Sequence, residues 1–187
     1  MSLLYYLLYS IVLLWTVVVY RQYGCKYFLY FLAWVSADIL TLVARLIFHS
    51  STNFFYAPLS FLALIALLEF KSIKKYWLII AFLFLVVCLL NLEYDIIIIS
   101  VITLHILILL LFLKEFIIPY AKENLFSIFL FCLIFYEITV VAKFINYLTG
   151  FTNGYYYFII TSFFEIAFGI FFIIFKADNK RLVFQLK

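Results

Sequence analysis

The basic residues of this chain alternate along its length. Of thirteen Lys and Arg, all but Arg45 and Lys143 sit in every second gap between seven long apolar segments, and the gaps between those hold none. The segments are 1–20, 27–48, 54–70, 76–92, 96–113, 125–148 and 155–175. Each is close to the roughly 17 to 25 apolar residues with which a helix crosses about 30 Å of hydrocarbon. Arg21 and Lys26 follow the first segment, Lys71, Lys74 and Lys75 the third, Lys114 and Lys122 the fifth, and Lys176, Lys180, Arg181 and Lys187 the last. Short cytoplasmic loops retain Lys and Arg, so this pattern predicts an N-terminus outside and a C-terminus inside. The expected fold class is all-α: a polytopic membrane protein with seven transmembrane helices in one bundle over 1–175, followed by a short basic cytoplasmic tail over 176–187.

With 70% of its residues hydrophobic, the chain leaves no room beside seven spans for a soluble domain. The net charge of +4 is then a property of topology, and no nucleic-acid partner is expected. The expected surroundings are the lipid bilayer of a cell membrane, most simply a bacterial inner membrane. The first segment lacks a basic leader region and an A-x-A cleavage pattern, which predicts a retained span. Cys25 falls at a cytoplasmic end while Cys88 and Cys132 fall inside spans, which predicts free thiols and no disulfide framework. Only four Gly and two Pro occur, so close backbone approach and unwound helices are rare devices here. Aromatic side chains are expected to space the helices instead, and rings at span ends, such as Tyr27, Tyr76 and Tyr155, read as interfacial anchors.

Counting 1.5 Å per residue from the middle of each span puts Asp38, His105, Glu137 and Glu165 near the midplane. Arg45, seven residues after Asp38, and Lys143, six after Glu137, lie in the outer third. An ionisable group at the bilayer centre costs about 3 to 17 kcal/mol, so these six are expected to face the bundle interior and to pair or line a polar cavity. They are the candidate ligand- or ion-binding residues. Two arrangements are open. Buried pairs, for example Asp38 with Lys143 and Glu137 with Arg45, would fix helix packing. Alternatively an outward-opening pocket would have the two bases at its mouth and the carboxylates at its floor. Glu165 has no base at its own depth and is the acid the sequence leaves unpaired.

Segments one to three and five to seven share an orientation and some residues in order. Asp38 and Arg45 match Glu137 and Lys143, Thr52-Asn53 matches Thr152-Asn153, and Ser60 matches Thr161. A three-plus-one-plus-three duplication gives such offsets, and the layout is similar to that of the SWEET sugar transporters. The proline-glutamine motif of that family is missing, so the likeness is one of layout alone. The span count also resembles the rhodopsins and the G-protein-coupled receptors, but 155–175 has no Lys for retinal and the D-R-Y and N-P-x-x-Y patterns are absent.

No H-E-x-x-H, C-x-x-C, G-x-S-x-G, Walker or G-x-G-x-x-G pattern occurs, so soluble catalysis and a bound cofactor are not expected. A metal-dependent intramembrane enzyme would have to draw its ligands from Asp38, His105, Glu137 and Glu165. Two function classes carry more weight. One is a sensor, regulatory or scaffold subunit that acts through a membrane or cytoplasmic protein partner, or through a second copy of itself, with the basic tail as a docking element. The other is a small transporter, channel or permeabilising effector using the mid-depth carboxylates as a proton or cation site.

Overall fold

The computed structural model describes residues 3–48, 54–68 and 93–185, together with Ile80 and Leu83. Apart from those two residues, the segment expected at 76–92 lies outside the described residues, as do the loop at 49–53, Lys71, Lys74, Lys75 and Cys88. Among the described residues six α-helices form: α1 (Leu3–Arg21), α2 (Phe28–Phe48), α3 (Tyr56–Leu67), α4 (Tyr94–Glu123), α5 (Ile128–Thr149) and α6 (Gly154–Ile174). Two short strands, β1 (Leu125–Ser127) and β2 (Val183–Gln185), pair antiparallel. Among the described residues four helices are long and apolar enough to cross a membrane: α2, α4, α5 and α6. The fold is therefore all-helical apart from one small ribbon, with the composition of a membrane protein.

Two segments differ from their expected lengths. α3 stops after 12 residues, about 18 Å, and the chain bends at Leu68. α4 runs to Glu123, ten residues past the apolar stretch, because Lys114, Glu115, Lys122 and Glu123 are good helix formers even where hydropathy ends. It terminates at Asn124, whose φ of 51° is left-handed and whose N–H returns to the Tyr120 carbonyl at 3.1 Å. Gly150, at φ 60°, closes α5 in the same way, and the Asn153 side chain then caps α6 by accepting from the Tyr155 N–H at 3.1 Å.

The six helices close a ring in chain order, with α6 returning to pack on α1. Rings fill its interior: Trp15 lies 4.6 Å from Tyr136 and Phe31 5.2 Å from Phe172, all four fully buried. Large apolar side chains such as Leu13, Leu40, Leu110, Phe135 and Phe163 cover the outside, as a lipid-facing surface requires. Gly169 marks a tight crossing of α6 on α1. A Cβ there would lie 2.3 Å from the Leu14 side chain, so any larger residue forces that side chain to shift.

The two ends of the bundle differ. At one end, α1 begins, α2 ends, α3 starts and the α5–α6 connection runs. At the other, which we call the basic end, Gln22 ties α1 to α6: its amide donates to the Phe172 and Phe175 carbonyls at 2.6 and 2.8 Å and accepts from the Ala177 N–H at 3.1 Å. Arg21 adds a hydrogen bond to the Ile173 carbonyl, and Lys26 pairs with Glu115 at 2.8 Å. The tail does not hang free. Leu182 is buried and β2 hydrogen-bonds to β1, leaving Val183 and Phe184 exposed. Cys25, at the same end, is a free thiol; burial and then the adjacent Asp178 carboxylate push it above its usual range.

Candidate functional site

The six ionisable residues expected in the bundle interior fall into two groups. His105 and Glu137 are fully buried in a chain of hydrogen bonds that spans four helices. Glu137 on α5 accepts from the Tyr30 hydroxyl of α2 through one carboxylate oxygen and bonds His105 Nδ1 on α4 at 2.8 Å through the other. His105 Nε2 meets Ser60 Oγ on α3 at 3.0 Å. Every polar atom of the His ring and both carboxylate oxygens are thereby satisfied without water, which is the condition for keeping such groups in a dry core. The connectivity is that of a serine–histidine–carboxylate relay. However, Ser60 is fully buried inside α3, where the neighbouring N–H groups already serve the helix and none is free to hold an oxyanion.

The other four residues line a cavity of about 440 Å³ walled by α1, α2, α3, α5 and α6. Its lining reaches exposed Tyr147 and Tyr155 beside the α5–α6 connection, at the end opposite the basic one. Lys143 Nζ bonds Glu165 Oε1 at 2.7 Å. Asp38 accepts from the Tyr56 hydroxyl at 2.7 Å. Arg45 has no ion pair or hydrogen bond among the described residues. Thr41, between Asp38 and Arg45, has a buried hydroxyl with no hydrogen-bond partner.

This geometry corrects several expectations. Glu165 is not the unpaired acid; it holds Lys143. Glu137 pairs with His105 rather than with Arg45, and Asp38 bonds Tyr56 rather than Lys143. Helix side chains lean toward the N-terminus, and α5 runs from the basic end toward the cavity end, so the Lys143 ammonium sits deeper than its Cα and reaches the level of Glu165. The three acids and the imidazole conceivable as one metal site are divided between the two groups, and among the described residues no group of three or more such ligands converges.

A layer of rings separates the groups. Trp34, Tyr56 and Phe144 pack on one another with centroids 5.5 to 6.4 Å apart and line the cavity. On their far side, Trp34 meets the His105 ring edge-on at 4.7 Å and Phe144 stacks on it at 6.0 Å. Trp15 and Tyr136 complete the cavity wall next to the aromatic interior. Sequence reasoning missed Tyr30, Trp34, Thr41, Tyr56 and Ser60. A signal for three of them exists: Tyr30, Trp34, Asp38, Thr41 and Arg45 recur every three to four residues and mark one face of α2.

No known protein family, curated protein or solved structure matches this chain. The site therefore has to be read from its own chemistry.

Proposed function

We infer that the chain is a seven-span protein of a cell membrane that receives a small ligand from outside and acts through a protein partner, as a sensor or regulatory subunit. The observation that carries this reading is the cavity: it combines Arg45 and Thr41, which have no polar partner among the described residues, with an apolar wall, and its volume falls in the roughly 300–1,000 Å³ range of small-molecule sites. It opens at the end whose short connections, 49–53 and 149–154, contain no Lys or Arg, which is the outer end by the distribution of charge. α3 and α4 run in the same direction, each from the cavity end toward the basic end, in agreement with a count of seven in which one further crossing separates them. Fully buried rings and the satisfied Tyr30–Glu137–His105–Ser60 chain lie between the cavity and the basic end, which favours binding over passage. At the basic end, exposed Val183 and Phe184 stand beside Lys180 and Arg181, a surface suited to a cytoplasmic partner.

Membrane-impermeant maleimide applied to intact cells tests both topology and access, using single cysteines in a cysteine-free background. Cysteines at Asn53, Asn153 and, inside the cavity, Phe158 should label from outside, and one at Lys122 only after permeabilisation. Labelling of Asn53 and Lys74 positions from the same side overturns the seven-span reading. Solute flux through liposomes carrying the purified chain overturns the sensor reading in favour of a transporter or channel.

A further inference from the structure

The four charged side chains that face the cavity are not equivalent. Lys143 and Glu165 neutralise each other at 2.7 Å, which leaves Asp38 and Arg45 as the charges open to a ligand. Both lie on α2, seven residues or about 10 Å apart along one face. Thr41 stands between them, three residues from one and four from the other, so all three share that face. Its hydroxyl, in a residue only 7% exposed, has no hydrogen-bond partner among the described residues. The Cα–Cβ bonds of a helix tilt toward its N-terminus, which at Arg45 is the direction of Asp38 and favours a shorter gap between the two charges. On the neighbouring α1, Leu8, Ile11, Val12 and Trp15 recur at helical spacing and add an apolar wall to the cavity.

We propose that the cavity takes a zwitterion with an apolar body, its ammonium on Asp38, its anionic group on Arg45, and a hydrogen-bonding atom between them on Thr41. The lining is electrically balanced, with two acids and two bases. A ligand bearing one charge would leave either Asp38 or Arg45 partly desolvated and unmatched, which the zwitterion avoids. Two sources share this chemistry: a free amino acid with an aromatic or branched side chain, and the head group of a zwitterionic phospholipid whose chain lies along α1. The inference rests on the reading of the cavity as a ligand site.

The test is calorimetric titration of the full chain in an uncharged maltoside detergent. L-Phenylalanine, its methyl ester, which lacks the anion, and N-acetyl-L-phenylalanine, which lacks the cation, form one series; short-chain phosphatidylethanolamine and phosphatidylglycerol form the other. In at least one series the zwitterion should bind about tenfold more tightly than its single-charge relatives. Asp38→Asn, which keeps an acceptor for Tyr56, should erase the advantage over the anionic analogue. Arg45→Gln, at a side chain with no partner to lose, should erase the advantage over the cationic one. Equal binding of a single-charge analogue, or no binding in either series, overturns the proposal. If the Phe158 position still labels from outside in that case, the ligand-site reading survives without the zwitterion; if it does not label, both fall.

Discussion

The His105–Glu137 and Lys143–Glu165 pairs have nearly the same length, 2.8 and 2.7 Å, and opposite surroundings. The first is sealed, with neither side chain exposed at all. The second borders a cavity, with the Lys 21% exposed. In the sealed pair each atom depends on one specific neighbour, because no water can replace a lost partner. In the open pair, a carboxylate deprived of its lysine can turn to solvent within the cavity. Distance alone therefore says little about what an ion pair holds together; the deciding quantity is what each partner meets when the other is taken away.

The sharpest way to break this comparison is Glu137→Leu. It strands His105 and the Tyr30 hydroxyl in a dry core and should cost about 3–5 kcal/mol, read as a fall in the thermal aggregation midpoint in detergent. Adding His105→Leu should recover part of the loss, and additive losses would mean the two groups do not depend on each other. Gly169→Val comes next. Its branched side chain meets Leu14 and pushes toward Trp15 at the edge of the cavity, so about 1–3 kcal/mol should be lost by overpacking, with α1 and α6 driven apart. Lys143→Met should cost less, about 1–2 kcal/mol, since the cavity rehydrates Glu165, and Glu165→Gln on top should restore most of it. A loss from Lys143→Met as large as that from Glu137→Leu would erase the distinction between the two pairs. Arg45→Gln should change stability by no more than about 0.5 kcal/mol, because none of the described residues holds the guanidinium. A larger drop in its melting midpoint would give Arg45 a structural role.

The hydropathy and charge patterns made the helices legible, and the cost of burying charge made Asp38, Arg45, His105, Glu137, Lys143 and Glu165 legible as interior residues. Their pairing was not. Depth counted at Cα ignores the reach and lean of a long side chain, which is how Lys143 came to meet Glu165. Tyr30 and Tyr56 sit near helix starts, where tyrosine ordinarily marks a lipid interface, so their hydroxyls gave no sign of serving Glu137 and Asp38. Ser60 is neutral and costs little to bury, and its value to His105 emerges only once α3 and α4 lie side by side. The matched positions of the two three-helix segments also have different fates. Asp38 lines the cavity while Glu137 is sealed, and Ser60 bonds His105 while Thr161 bonds back to its own helix at the Tyr157 carbonyl.

Gln22 gives the bundle a rivet. By gripping the end of α6 and the first residues after it, this one amide makes α1 and α6 the two blades of a pair of scissors joined at the basic end. α6 is about 30 Å long, so a tilt of a few degrees at the rivet displaces its far end by ångströms. That far end carries Tyr155 and Phe158 into the cavity wall, which Leu8 and Ile11 of the other blade also line. Any tilt that parted the two helices there would widen the cavity. The handle of the tool and its cutting edge lie at opposite ends of the bundle.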